Sequence, residues 1–434
     1  PRTLRCVHSL GLLLQAAGGL DAAEPLCRRA LSGREATLGP LHRETLTSAN
    51  NLGTLLLTQG RAGEAEVLYL KALEGREATL GPRHPDTLGS IGNLAELYHR
   101  RGMLSAAEPL YWRALKGTEE ALGAMHPRTL IVVGNLAALL HAQRRLSDAE
   151  PLMRRDLEGS EVTLGPLHRS TLVSVGNFAE VLHKQGKLAE SESLKRRALA
   201  GCEATLGAEH VDTLISMGNL ARLLADQGEV MEAMVLYTRA LKGSEETLGR
   251  MHPNTLRAVG NLAGLMMALG KFERAEEYFA WALEGEEAAH GPRHIATLSC
   301  VNNLAGALRE QGKLDDAAPL LHRAEEGLTA LLGPVHPHTL SCVNSLADVL
   351  QLQGELDGAA LLFYRLHEGR AATLGSTHPH AVATAYNLVG LLQRAGRLDE
   401  ARALCESELA RCRAALGRAH QDTVDFVEQL ARLG

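Results

Sequence analysis

Apolar residues recur along residues 43–84 at intervals of three and four. Leu46, Ala49, Leu52, Gly53 and Leu56 form one stripe, the spacing of an amphipathic helix. Gly60 follows, a residue suited to a left-handed helix end. The pattern then predicts a second helix over about residues 63–80, with Ala65, Leu68, Tyr69, Ala72 and Ala78/Thr79 on one face. Gly81-Pro82 stops it. Pro85 suits the first turn of the next helix, where a missing N–H leaves nothing unpaired.

This unit repeats. His42, His84, His126, His168, His210, His252, His294, His336, His378 and His420 are each 42 residues apart, without insertion or deletion. Gly stands three residues before each, and Thr three residues after in nine of ten, Ala381 being the exception. The chain therefore reads as ten units (1–42, 43–84, 85–126, 127–168, 169–210, 211–252, 253–294, 295–336, 337–378 and 379–420) plus a partial eleventh, 421–434. Gly holds the Gly60 column in nine of ten units, with Arg144 the exception. One helical hairpin cannot bury both of its apolar stripes, whereas stacked hairpins can. The fold predicted is thus all-α, a single α-solenoid over 1–434. The column from Leu10 to Leu388, interrupted only by Phe178, supplies expected core knobs. The small column from Ala23 through Ser191 to Ala401 lets paired helices approach closely.

Composition narrows the function. Lys+Arg number 45 against 51 Asp+Glu, a net charge of −6, which leaves no surplus of cations for nucleic acid. No apolar run reaches the length of a membrane span. Seven scattered cysteines without a C-x-x-C fit free thiols in a reducing, cytoplasmic compartment. The chain opens at Pro1 without a charged-then-apolar leader, and reads as a fragment or processed product. The partial last unit is expected to expose Val424, Val427 and Leu430, a stripe suited to capping or to end-to-end self-association.

Asn135-Leu136-Ala137, Gln185-Gly186-Lys187, Ala107-Glu108-Pro109-Leu110, Arg239-Ala240-Leu241 and Leu80-Gly81-Pro82-Arg83-His84-Pro85 together resemble the tetratricopeptide repeat in its 42-residue form, as in kinesin light chains and nephrocystin-3-like proteins. The resemblance covers the whole chain. It implies a right-handed superhelix with first helices lining a concave groove, and a non-catalytic module for protein or peptide partners. This repeat class also occurs in the sensor arrays of multidomain NTPases, so a regulatory array of a larger NTPase or kinase is the alternative. Two features depart from the pattern. Gly lies inside the second helix in nine of ten units, Gly33 to Gly369, and beside the Asn in Gly92, Gly134, Gly176, Gly218 and Gly260. Interior Gly costs about 1 kcal/mol against Ala, so the placement implies close helix packing or a bias spread by duplication.

On a helical wheel the face opposite the buried stripe carries one fixed column. Asn51, Asn93, Asn135, Asn177, Asn219, Asn261, Asn303 and Asn387 occupy it, with Ser9 and Ser345 the exceptions, while its neighbours vary. An amide both donates and accepts, so a ladder of them could clamp an extended peptide backbone while the neighbours select side chains. The resemblance supports this peptide-binding role. The other role open to each Asn is bonding the backbone of an adjacent unit. The basic column Arg29, Lys71, Arg113, Arg155, Arg197, Arg239, Arg323 and Arg365 could clamp anions, but the abundant Glu of the second helices favours pairing. The ten His cannot share a metal, since equivalent residues of neighbouring units stand about 10 Å apart; they are expected to cap and pack the turns. The aromatics of the second helices read as packing. No catalytic motif or cofactor loop occurs, so no enzyme activity and no cofactor are expected.

Overall fold

A computed structural model describes residues 2–433. Two compact units divide the chain, Pro1–Gln227 and Gly228–Gly434. The first holds α1 (Arg2–Ala16), α2 (Leu20–Leu38), α3 (Arg43–Thr58), α4 (Ala62–Leu80), α5 (Pro85–Arg100), α6 (Leu104–Leu122), α7 (Pro127–Ala142), α8 (Leu146–Leu164), α9 (Arg169–Lys184), α10 (Leu188–Leu206) and α11 (Val211–Asp226). The second holds α12 (Val230–Leu248), α13 (Pro253–Ala268), α14 (Phe272–His290), α15 (Ile295–Glu310), α16 (Leu314–Leu332), α17 (Pro337–Gln353), α18 (Leu356–Leu374), α19 (Pro379–Arg394), α20 (Leu398–Ala415) and α21 (Gln421–Leu433). Every described element is a helix, and the helices fall at the positions the repeat predicts. Within each unit a first helix packs on its own second helix and on the second helix of the hairpin before it, as α3 does on α4 and α2.

The turn between hairpins keeps the same glycine and histidine each time, and in most turns the same threonine bond. Gly81 takes φ 88° and ψ 163°, a region essentially reserved for glycine. Thr87 Oγ1 donates to the Gly81 carbonyl at 2.9 Å. His84 Nδ1 accepts from the Asp86 amide at 3.1 Å, which satisfies one unpaired donor of the helix start. All ten histidines of the column cap in this way, as expected of them. The turn inside each hairpin uses Gly60 at φ 81°, and where Gly is missing Arg144 itself adopts φ 61°.

Packing follows the small columns. Ala65, Ala107 and Ala149 are fully buried, and Tyr69, Tyr111, Phe279 and Phe363 fill the space between helices. The interior glycines of the second helices are a packing device. A Cβ on Gly75 would stand 2.5 Å from Leu46 Cδ2, and the same clash recurs from Gly33 against Leu4 to Gly369 against Leu340. The first-helix glycines are different: around Gly92, Gly176 and Gly260 a Cβ would meet nothing within 4 Å. Close packing therefore accounts for one set of glycines and not for the other.

Three expectations need correction. Ala78 and Thr79 are exposed, and burial instead takes in Leu73, Gly75 and Arg76. The second helix has 19 residues against 16 in the first, so its last turn runs about 4–5 Å past its neighbour. Leu10 of the core column is 49% exposed: α1 packs on α2 alone, whereas later first helices have second helices on two sides. Among the C-terminal residues Val424 and Val427 are exposed, but Leu430 packs against the core with Phe426 fully buried beneath it.

Candidate functional site

The Asn column lies on the side of the first helices turned away from their own second helices. Asn51 and Asn93 each meet the residue 43 positions earlier, on the first helix of the hairpin before. Asn51 Nδ2 lies 3.1 Å from His8 Nε2, and Asn93 Nδ2 donates to Asn50 Oδ1 at 3.0 Å. None of the eight asparagine side chains bonds a main-chain atom of a neighbouring hairpin among the described residues, so the alternative scaffold role has no such bond behind it. Asn135, Asn177 and Asn219 of the first unit, and Asn261, Asn303 and Asn387 of the second, carry no side-chain hydrogen bond there.

Cavities open beside these amides. One of about 360 Å³ lies between α9 and α11 over α10, with Gly176, Asn177 and Asn219 at its rim and Leu172, Val173, Ala198 and Ile215 as walls. Another, of about 330 Å³, lies between α5 and α7, with Gly92, Asn93 and Asn135 beside Leu88, Ile131 and Val132. In the second unit a space of about 290 Å³ takes in Asn387, Tyr386, Arg394 and Gln429. The column thus lines recesses in both units. Asn51 lines none of these three recesses.

Charged groups near the first cavity are paired with one another. Lys195 is only 3% exposed and stands in a column held elsewhere by Tyr69, Tyr111, Met153 and Tyr237. Its ammonium donates to Glu180 Oε2 at 3.3 Å and to the Asn219 carbonyl at 3.1 Å. Arg222 reaches the same Glu180 oxygen at 2.5 Å, and His183 Nε2 meets Asp226 at 2.9 Å. Burial would raise Glu180, but the charges of Arg222 and Lys195 outweigh it and hold the carboxyl below its ordinary range. Burial depresses Lys195 against the opposing pull of Glu180. At the cavity rim Arg169 pairs with Asp212 at 2.6 Å. Repeat reasoning missed this cluster. The signal was present in the sequence, because the same hairpin departs from three columns at once, at Phe178, Ser191 and Lys195.

Two further buried cations were also missed. Arg34 Nη1 donates to Ser48 Oγ at 2.6 Å, and Arg76 Nη1 to Ser90 Oγ at 2.8 Å and the Asp86 carbonyl at 2.9 Å. They bind a second helix to the first helix that follows, and burial depresses Arg76. The exposed basic column behaves as its glutamate neighbours suggested. Lys71, Arg113, Arg155, Arg197, Arg323 and Arg365 each pair with a Glu of the preceding second helix. Such exposed pairs are worth under about 1 kcal/mol. All seven cysteines are free thiols. Among the described residues no group of acidic, His and Cys side chains is placed to hold a metal, and no helix is long and apolar enough to cross a membrane.

Helical hairpins of constant length, in register and joined by a repeated cap, define the α-solenoid class. Within that class the chain belongs to the tetratricopeptide repeat family: models of the repeat match residues 3–78, 59–120, 168–246, 218–288, 252–330 and 295–372, and a second form matches 129–170 and 382–422. The nearly identical TPR-like repeats of a Podosopora anserina kinesin light chain are 27% identical, covering 47% of this chain and 96% of that one at a TM-score of 0.43. The quorum sensor NprR of B. thuringiensis is 12% identical over 87% of this chain and 99% of its own, with a TM-score of 0.56. A signal transduction ATPase with numerous domains and a tetratricopeptide repeat sensor, from Pyrococcus horikoshii, is 14% identical over 81% of this chain and 53% of its own, with a TM-score of 0.54. No curated protein matches the chain.

Proposed function

We propose that the chain is a non-catalytic scaffold that binds extended peptide segments of partner proteins along its first helices. The amides of the Asn column hold the ligand backbone, and the varying residues beside them select its side chains. The observation that carries this reading is the set of Asn135, Asn177 and Asn219 amides, which line recesses between first helices without a hydrogen bond to the protein. An amide in the middle of a helix is a mediocre helix former, and here it makes no structural bond in return. Replacing all three by Ala is expected to abolish peptide capture and leave the denaturation midpoint nearly unchanged. A large loss of stability with binding retained would show that the column serves the fold.

A second reading is the sensor array of a larger NTPase or kinase. The fold shared with the Pyrococcus ATPase, whose repeats are described as a sensor, supports it. Sequencing the flanking gene tests it, since a nucleotide-binding motif in the same reading frame would place the array in such an enzyme.

A further inference from the structure

In the first unit the residue 43 positions before each Asn differs along the chain, and the occupancy of the amide differs with it; in the second unit Asn387 stays unbonded although Asn344 stands at that offset, because Asn344 donates to Asp348 instead. Asn51 faces His8 and Asn93 faces Asn50, and both are hydrogen-bonded there. Asn135, Asn177 and Asn219 stand 43 residues after Gly92, Gly134 and Gly176. Gly has no side chain to offer, and at Gly92 and Gly176 the space a Cβ would take is open. Gly92 shares a cavity with Asn135, and Gly176 with Asn219. In the second unit Asn303 follows Gly260 at the same offset. Interior Gly costs about 1 kcal/mol per helix, and at these open positions no packing contact offsets that cost.

The α9–α11 recess also states what side chain it suits. Around the α9–α11 cavity Arg169 is paired with Asp212, Lys195 and Arg222 share Glu180, and Asp226 holds His183. The charges lining that recess are thus already matched within the protein, and the rest of its lining includes the apolar Leu172, Val173 and Ile215; the α5–α7 recess differs, since Arg128 on its lining has no ion pair among the described residues. In the α9–α11 recess a charged ligand group would lose its hydration without gaining a free counter-ion. The two cavities lie two hairpins apart, about 20 Å at helix-packing distances, which an extended chain spans in about six residues.

Building on the scaffold reading, we infer that the peptide-gripping stretch of the first unit is restricted to the asparagines facing glycine, Asn135, Asn177 and Asn219. Its occupant is an extended segment of a partner protein that places an apolar side chain in the α9–α11 recess, about six residues from the one that reaches the α5–α7 recess. Asn51 and Asn93 lie outside that stretch because His8 and Asn50 already engage them.

The test uses the full chain and a random library of 12-residue peptides. Gly92→Asn and Gly176→Asn each place before Asn135 and Asn219 the partner that Asn50 is to Asn93. Asn forms helix better than Gly, so both variants fold. Their affinity for library-selected peptides is expected to fall about tenfold, while Gly92→Ala and Gly176→Ala, which offer no hydrogen bond, stay within about twofold. Selected peptides are expected to share an apolar position, the one that enters the α9–α11 recess. Unchanged affinity in the Asn variants, equal losses in the Ala and Asn variants, or selected peptides that share no apolar position would each overturn the inference while leaving peptide binding in place. If the unaltered chain retains no peptide at all, the scaffold reading itself falls.

Discussion

Leu46 occupies the space where Gly75 would carry a Cβ, which would stand 2.5 Å from Leu46 Cδ2. Leu46 is fully buried, so its methyl groups cannot swing aside. Gly75→Ala is expected to lose about 1–3 kcal/mol through overpacking, although Ala favours helix by about 1 kcal/mol. Gly92→Ala, into open space, is expected to gain up to about 1 kcal/mol. Urea denaturation of both variants beside the parent separates the two glycine columns; shifts of the same sign would refute the distinction.

Arg144 holds φ 61° where the other hairpin turns have glycine. A side chain in that region costs about 1–2 kcal/mol, partly offset by the greater freedom glycine has when unfolded. Arg144→Gly is therefore expected to raise stability by about 1 kcal/mol, read as a higher urea midpoint. A lower midpoint would mean that the arginine side chain contributes more than its backbone strain removes.

Lys195 and Glu180 are expected to respond unequally to replacement. Met153 fills the position of Lys195 one hairpin earlier, so Lys195→Met fits the space. Glu180 would keep Arg222 as its partner. Exchanging a buried ion for a hydrophobic group is often neutral or stabilising, and the change expected lies within about 1 kcal/mol of the parent or above it. Glu180→Gln leaves the Lys195 and Arg222 cations facing each other and is expected to cost about 2 kcal/mol, less than in a fully buried pair because Glu180 is partly exposed. Thermal unfolding of the two variants checks the order.

His183 supplies the pH dependence. Burial, and then the charges of Lys195 and Arg222, hold it below its ordinary value of 6.5. As pH falls through that value the unfolded chain takes up a proton that the folded chain still refuses. The unfolded state is then favoured, and stability declines toward the lower folded value. His183→Gln is expected to flatten the fall of the urea midpoint between about pH 7 and pH 5. An unchanged slope would place the titration elsewhere.

What repeats is what could be read without coordinates. The His84 cap, the Gly81 stop and the Ala65 contact each recur ten times or nearly so, and recurrence separates a structural need from chance. The helical wheel also put Asn135 and Asn219 on a face that lines recesses between first helices. What it could not supply was the offset between hairpins. Two glycines of like appearance, Gly75 and Gly92, differ because one looks at Leu46 and the other at nothing. Arg76 escaped notice because its partners Ser90 and Asp86 lie on the next hairpin. Lys195 escaped it because column averages hide the single member that breaks them.

The shared Gly–His–Thr seam has an evolutionary corollary. Hairpins are nearly interchangeable at their ends, since every joint keeps the glycine and the histidine cap and most keep the threonine bond. Unequal recombination within such a gene would insert or delete whole modules without creating a novel junction. Length and order of the array can then drift while every joint stays sound, and a run of glycine-faced asparagines could be widened or narrowed simply by copying or dropping its members.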